Sequence, residues 1–537
     1  MYIKNQFRFY FLSLFTILII SFVVMYPSFG LAFQDDDWRG VVLPRSDYAG
    51  DSRLFTPYGI QLWFCGFLYN LFDSNFHYYY ILAFVFRSLV AAGVLIFLYI
   101  LTKNRLASFL GSLFVAVSFS GIQTTFEPAN MNVYLSVAGH LIFLIAFFLS
   151  LEKFSIKYLL VMVISLLLAT LSSPVRTYPL YAWVIITEGL LILIGFSKHK
   201  LKIVLTRQLL IVAIFLYLYS IGIFSWFSLD APAGNKINNF SIFLTNAKLF
   251  LENLSLNIFS NFLKGLGNIF LPSTIDKSGS LSIITATIYL VSLFLLLFLS
   301  IKKRSIKLTY SSVFFLWPLL FYSGYFIVVL NGYGHSGQET LVFESFRRYL
   351  FPPMVGFSIS LGLILSLILK RSKKLGYKLS YLFIILIIIH AAATNIFLND
   401  LSKLRDGPFM RKIWNQLVEL VPLSKLDQNK LNVFYFETDG SPRAIYTVND
   451  GFILHTTTVY KINQGQKDFN PTEINKFTKM VINSLSFQEF VSFMQKGSPY
   501  DNVPITWDRV FAFRVEGERL VDIKGDLKTR VEPFLEE

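Results

Sequence analysis

At 537 residues, with 54% hydrophobic and 17% aromatic residues and a mean hydropathy of +0.56, the chain cannot be a soluble globular protein. Its net charge of +15 first suggests nucleic acid or another polyanion, but residues 400–537 hold 18 Lys and Arg against 19 Asp and Glu. The surplus therefore lies in the apolar part, in alternate loops, which excludes nucleic-acid binding; the single cysteine, Cys65, excludes an internal disulfide framework.

The apolar runs predict about eleven membrane-spanning helices. The first, about Phe9 to Gly30, follows Lys4 and Arg8, which places the N-terminus in the cytoplasm. It is too long for a signal-peptide core and has no small-residue cleavage site after it, so it reads as a retained span. It delivers Asp35-Asp36-Asp37 to the outer face. Within the loop that follows, Tyr58–Phe72 is apolar but short and suits a helix lying in the interface.

Span two, about Tyr78 to Leu101, ends at Lys103 and Arg105. Span three, about Leu106 to Ile122, emerges at Gln123–Asn130; span four returns to Glu152 and Lys153; span five exits at Ser172–Pro179; span six comes back to Lys198–Arg207. Span seven leads to a second long outer region, about Leu229 to Ser280, with a partly amphipathic stretch at Ile242–Phe270. Span eight ends in Lys302–Lys307, span nine contains Trp317-Pro318 and exits before His335, span ten runs from Tyr349 to Lys370–Lys374, and span eleven is about Leu379 to Leu398. The inner loops hold nearly all clustered Lys and Arg, and the outer loops almost every acid, so the C-terminus lies outside.

From Asn399 the composition becomes that of a soluble domain. Phe409–Leu420, Thr472–Asn483 and Phe487–Lys496 read as helices. Leu431–Phe436 and Phe452–Ile462 read as strands, with turns at Asp439-Gly440 and Asp450-Gly451, and Val510–Val515 with Leu520–Ile523 as a hairpin. The expected fold is mainly α: a polytopic helical membrane domain, residues 1–398, followed by a small extracytoplasmic α+β domain, residues 399–537.

The unusual polar residues gather at the outer face: Asp35–Asp37, Arg53, Glu127, Arg176, His335, Glu344, Arg347 and Arg348. Three adjacent carboxylates repel, so at least one holds its proton more tightly unless a cation is near; that is the profile of a general base. Arginine forks match phosphate geometry, so the mixture suits a carboxylate base beside a phosphate anchor. The bland alternatives are a solvated helix end for the triplet, loop ion pairs for Arg53 and Glu127, and snorkelling anchors for Arg347-Arg348. Arg87 and Glu188 fall inside predicted spans, where a pair between them or a functional role is open.

These residues resemble the GT-C superfamily of polyprenyl-phosphate-sugar-dependent, dolichyl-phosphate-mannose-protein-mannosyltransferase-like membrane glycosyltransferases. The acidic Asp36-Asp37-Trp38 after the first span carries the likeness. So do Arg53-Leu-Phe-Thr-Pro57 with Leu71–Tyr79, and Phe346-Arg347-Arg348-Tyr349-Leu350-Phe351-Pro352-Pro353 through Phe357. The resemblance covers roughly residues 1–398. It implies inverting transfer of a hexosyl or pentosyl unit from a polyprenyl-phosphate donor to a glycan, lipid or protein acceptor, beside membrane lipid, in the cytoplasmic membrane of a bacterial cell envelope. It makes Asp36 the leading base, with Asp35 and Asp37 beside it, and Arg348 a phosphate binder. Arg53, Glu127, Arg176, Arg347 and Tyr349 complete the expected substrate- and phosphate-binding set. The triplet blurs the family's acidic-pair register, and Val175-Arg176 stands where relatives place an acid. No cofactor is required by this reading, although three carboxylates could hold a divalent cation. A ligase or polymerase of surface polysaccharide would use the outer arginines and a histidine without the triplet, and a transporter would use Arg87 and Glu188. An oligosaccharyltransferase also joins a multi-span part to an outer C-terminal domain, but its hallmark Trp-Trp-Asp segment is missing here and Thr506-Trp507-Asp508 is a poor substitute.

Overall fold

The computed structural model describes residues 2–33, 59–72, 75–153, 155–195, 201–223, 256–276, 278–332, 344–426, 432–449, 481–484, 486–497 and 505–535. The apolar helices come in chain order: α1 (Tyr2–Met25), α2 (Gly59–Phe72), α3 (Phe76–Thr102), α4 (Arg105–Val117) and the single turn α5 (Gln123–Phe126). Next are α6 (Asn132–Glu152), α7 (Ile156–Ser172), α8 (Pro174–Leu193), α9 (Leu201–Ser220) and α10 (Leu256–Gly267). The last four are α11 (Ser280–Lys303), α12 (Ile306–Gly332), α13 (Phe351–Arg371) and α14 (Lys373–Leu404).

Among the described residues, eight helices are long and apolar enough to cross a bilayer, which makes this a multi-pass membrane protein. The other three predicted spans coincide with α4, of 13 residues, α7, of 17, and α8, which carries Arg176 and Glu188. The two ends of the bundle differ. At one, Lys370 Nζ donates to Thr102 O at 2.9 Å and Arg105 lies over the Phe9 ring, so several basic loops converge. At the other, the C-terminal ends of α1 and α14 meet the N-terminus of α3: Leu31 bridges to Asp406, and His77 Nδ1 lies 2.6 Å from Phe29 O.

α4 stops at Val117, five residues before the predicted end of span three, and at ~1.5 Å per residue it covers only about 20 Å. The last carbonyls of a helix have no partner of their own in the helix, and at membrane depth such orphans are costly. Arg87 of α3 supplies the missing donors. Its Nε donates to Ala116 O at 3.1 Å and Val115 O at 3.3 Å, its Nη2 donates to Ser118 O, and its Nη1 donates to Thr125 Oγ1 at 3.3 Å. A cation at a helix C-terminus also complements the helix dipole. Thr394 of α14 donates to Val117 O at 3.0 Å. His390 Nδ1 accepts the Phe119 N–H at 3.2 Å, leaving Nε2 to donate to Phe270 O at 3.0 Å.

Glu188 does not meet Arg87. It receives Arg207 Nε at 2.8 Å and the Gln208 amide, and Arg207 Nη1 reaches Ser150 Oγ at 3.3 Å. A buried acid needs a nearby cation, and on the adjacent α9 that cation is Arg207.

The remaining elements are α15 (Gly407–Leu420), β1 (Asn432–Thr438), α16 (Pro442–Asn449), β2 (Val481–Ser484), α17 (Phe487–Lys496), β3 (Val510–Glu516), β4 (Arg519–Asp522) and α18 (Lys524–Leu535). They form a sheet of order β2-β1-β3-β4, parallel except for the β3–β4 hairpin. Alternation in β1 separates two cores: Phe434 and Phe436 face α15 and α16, while Val433 and Tyr435 face α17 and α18. Between the two central strands, Glu437 of β1 receives Arg514 Nε of β3 at 2.9 Å, and also the Arg530 guanidinium from α18. Burial raises its carboxyl pKa, but these hydrogen bonds outweigh that and hold it below the usual range.

The expected helix over Thr472–Asn483 is corrected at its end: Val481–Asn483 belong to strand β2, paired in parallel with Asn432–Phe434, in keeping with the strand preference of β-branched residues. Residues 472–480, the predicted strand at 452–462, the turn at 450–451 and all of 242–255 lie outside the described residues.

Replacing Arg87 with Met should leave the α4 carbonyls unsatisfied at a cost of about 3 kcal/mol or more. Thermal unfolding of detergent-purified protein would show it as a lower melting temperature; an unchanged melting temperature would contradict the capping role.

Candidate functional site

The segment after α4 runs through Ser118, the buried turn α5 and a 3-10 turn at Pro128–Asn130 before α6 begins. Irregular backbone at this depth is tolerable only when protein surrounds it. Gly121 allows the closest approach. Its φ of +75° favours glycine, and a Cβ there would sit 2.5 Å from the Phe351 side chain. Gly121 N–H and Gln123 N–H donate to Ser345 O and Phe346 O, both at 2.8 Å, which fastens this loop to the segment opening α13.

Fastened in this way, the two segments bring Glu127 to Arg348. Glu127 is only 3% exposed. Gln123 Nε2 donates to both its oxygens, at 2.7 and 2.8 Å, and Asn130 Nδ2 donates to Oε2 at 2.8 Å. Arg348 Nη1 stands 3.7 Å from Oε2, and the Arg348 N–H donates to Gln123 Oε1 at 2.9 Å. With donors on two sides and a cation on the third, this carboxylate is arranged as an acceptor and counter-charge.

Next to it, Tyr349 is shared by two arginines. Arg348 lies 5.3 Å and Arg176 5.5 Å from the ring centroid, both in the range of a cation–π contact. Arg176, 4% exposed, comes from the first turn of α8, where Pro174 sets the helix start, and donates through Nη1 to Ser173 Oγ at 2.8 Å. The Arg348 side chain keeps 22% of its surface open. Two guanidinium groups held on one aromatic ring, one partly open, can take up an anion bidentately.

The structure therefore brings together Glu127, Arg176, Arg348 and Tyr349 of the predicted set. Arg347 is exposed and turns to the Phe346 ring, 5.1 Å away. Asp35, Asp36, Asp37, Arg53 and His335 lie outside the described residues. Phe33, two positions before Asp35, is buried against Tyr79 and Phe76 at the same bundle end as the Glu127–Arg348 cluster, as the Phe126–Phe397 and Phe119–Phe397 contacts on α14 require. Gln123 and Asn130, which orient Glu127, carry no sequence signal beyond their nearness to it. Among the described residues, no group of three or more His, Cys, Asp or Glu side chains could hold a metal ion.

If Glu127 and Arg348 act as a unit, a double-mutant cycle of Glu127→Ala and Arg348→Ala on thermal stability should give a coupling of about 0.5–1 kcal/mol. Additive losses would mean the two are energetically independent.

No family model matches the chain, and no curated protein matches it. Three solved structures of the Archaeoglobus fulgidus oligosaccharyltransferase are similar to it. The form tethered to an acceptor peptide with the NVT sequon is 13% identical with a TM-score of 0.41, over 81% of this chain and 63% of that one. The form with Zn and sulfate is 12% identical at a TM-score of 0.38, over 83% and 61%, and the apo form 13% identical at 0.41, over 92% and 66%. The chain thus spans 61–66% of that protein's length, and no residue of the site is assigned from so distant a likeness.

Proposed function

We propose that the chain is a GT-C-type glycosyltransferase that moves a hexosyl or pentosyl unit from a polyprenyl-phosphate donor to a glycan, lipid or protein acceptor at the outer membrane face. The observation that carries this reading is the meeting of two arginines at Tyr349 beside the buried Glu127, at the bundle end from which α1 departs toward the acidic triplet. Phosphate recognition and base chemistry would then share one membrane surface.

In the proposed reaction the acceptor hydroxyl attacks the anomeric carbon from the face opposite the phosphate. The new C–O bond forms as the bond to the phosphate oxygen breaks, inverting the centre. An Asp of the triplet, with Asp36 the leading candidate, takes the hydroxyl proton. Arg348 and Arg176 stabilise the charge growing on the departing polyprenyl phosphate. Glu127 neutralises part of the arginine charge and holds Arg348 in place. Trp63 and Phe67 of α2, exposed and stacked at 6.0 Å, offer an apolar face suited to the isoprenoid chain. Residues 1–398 would form the catalytic domain and 399–537 an extracytoplasmic one; a divalent cation at the triplet belongs to the same proposal.

The test is transfer in membranes supplied with radiolabelled polyprenyl-phosphate sugars, with protein abundance measured alongside. One of Asp35→Asn, Asp36→Asn and Asp37→Asn should lower transfer by roughly 100-fold or more at normal abundance, and Arg348→Ala should lower it by about 10- to 100-fold. If all three Asn variants match an active wild type while Arg348→Ala fails, a polysaccharide ligase or polymerase relying on arginines replaces this reading.

A further inference from the structure

The way α1 leaves the bundle carries a second conclusion, which rests on the glycosyltransferase reading. After the 3-10 turn Tyr26–Gly30 the main chain runs through Leu31, Ala32 and Phe33, all fully buried, and Asp35 follows two residues later in the sequence. The Ala32 carbonyl receives three hydrogen bonds: Arg405 Nε at 3.0 Å, Arg405 Nη2 at 2.6 Å and Tyr80 OH at 2.8 Å. Arg405 Nη2 also donates to Tyr80 OH at 3.0 Å, and the Ala32 N–H donates back to Arg405 O at 2.9 Å.

This is an unusual concentration of donors on one peptide. Arg405 is 1% exposed, and a lysine ammonium, being a point donor, cannot place two fixed N–H groups on the same carbonyl. The clamp also reaches into the C-terminal region. Ala32 packs in the same hydrophobic cluster as Phe409, Ile413 and Trp414 of α15 and Phe434 of β1. Asp406, bridged to Leu31, caps α15 by accepting the Phe409 N–H at 3.0 Å and pairs with Arg443 of α16 at 3.5 Å. From α15, Arg411 donates to Asn75 Oδ1 at 3.2 Å, at the start of α3.

We infer that Arg405 is a positioning residue for the acidic loop: through Ala32 it fixes the main chain from which that loop departs, and it couples the C-terminal region to the reaction. It touches no reacting atom. Its effect is on turnover, because a small displacement of a base lowers the rate while leaving the arginine phosphate anchors intact.

Two measurements test this. In full-length protein with Cys65→Ser and Ala32→Cys, a membrane-impermeant maleimide should label Cys at position 32 slowly, and Arg405→Gln should raise the labelling rate by about tenfold or more. Transfer is then compared per folded molecule in the otherwise native sequence. Arg405→Lys should lower kcat by about 100-fold and the milder Tyr80→Phe by about tenfold, with donor KM within about twofold and the two losses less than additive. A purely structural residue would instead lower melting temperature and leave kcat of the folded enzyme unchanged. Unchanged labelling overturns the clamp. Faster labelling with unchanged kcat overturns the positioning role. A wild type that transfers from no donor overturns the glycosyltransferase reading and the positioning role with it, while labelling still decides whether Arg405 holds the exit of α1.

Discussion

The arginine on α3 that caps a truncated helix is the interaction on which the rest of this bundle depends. A 13-residue α4 is too short to cross about 30 Å of hydrocarbon. Stopping it early leaves carbonyls and a length of irregular chain where water is scarce. Arg87 satisfies three of those carbonyls and reaches Thr125 beyond them, so the break becomes a stable feature. What the break gains is room: the segment from Ser118 to Met131 folds into the bundle and presents Glu127 from within it. A buried arginine surrounded by backbone acceptors is costly to disturb and therefore fixes the loop in one arrangement.

From that fixed loop the polar site follows. The segment opening α13 is fastened to it by backbone bonds, and this contact sets Arg348 against Glu127 and Tyr349 against Arg176. The positive ends of two arginine side chains are thus held by an acid, an aromatic face and a serine, with one of them partly open. Such preorganisation suits an anion that arrives charged and leaves with more charge, because the protein need not rearrange as the bond breaks. Near the N-terminus of α3, the Ala32 clamp gives the departing α1 chain a comparable rigidity and joins it to α15 and β1.

Much of this was legible from the sequence, and the reasons differ by element. Long apolar runs identified eight of the helices, because length and composition suffice for a span. The short ones were also located, but not their depth: α4 looks complete unless one knows that Arg87 caps it, and that contact joins residues 28 to 31 positions apart. The same limit applies to the site. Glu127, Arg176, Arg348 and Tyr349 stood out as polar or motif residues at the membrane face, whereas Gln123, Asn130, Tyr80 and Arg405 are ordinary side chains until the fold assembles them. In the sequence Arg207, the partner of Glu188, belongs to a basic loop, because periodicity places charges along a chain and not across helices. In the C-terminal region, the short helices α16 and α18 offer few turns for a periodic signal, and Val481–Asn483 continue a helical pattern in sequence while pairing with β1 in the fold.

The central claim is that the arginines at Tyr349 form the seat of a lipid-linked phosphate. The most direct measurement is a cryo-electron-microscopy map of the protein in nanodiscs saturated with a polyprenyl phosphate. The account predicts phosphate density within hydrogen-bonding reach of Arg348 and Arg176, with the isoprenoid chain running into the membrane from that end of the bundle. Density seated instead at the basic end, by Lys302, Lys303 and Lys370, with nothing beside Tyr349, would contradict it.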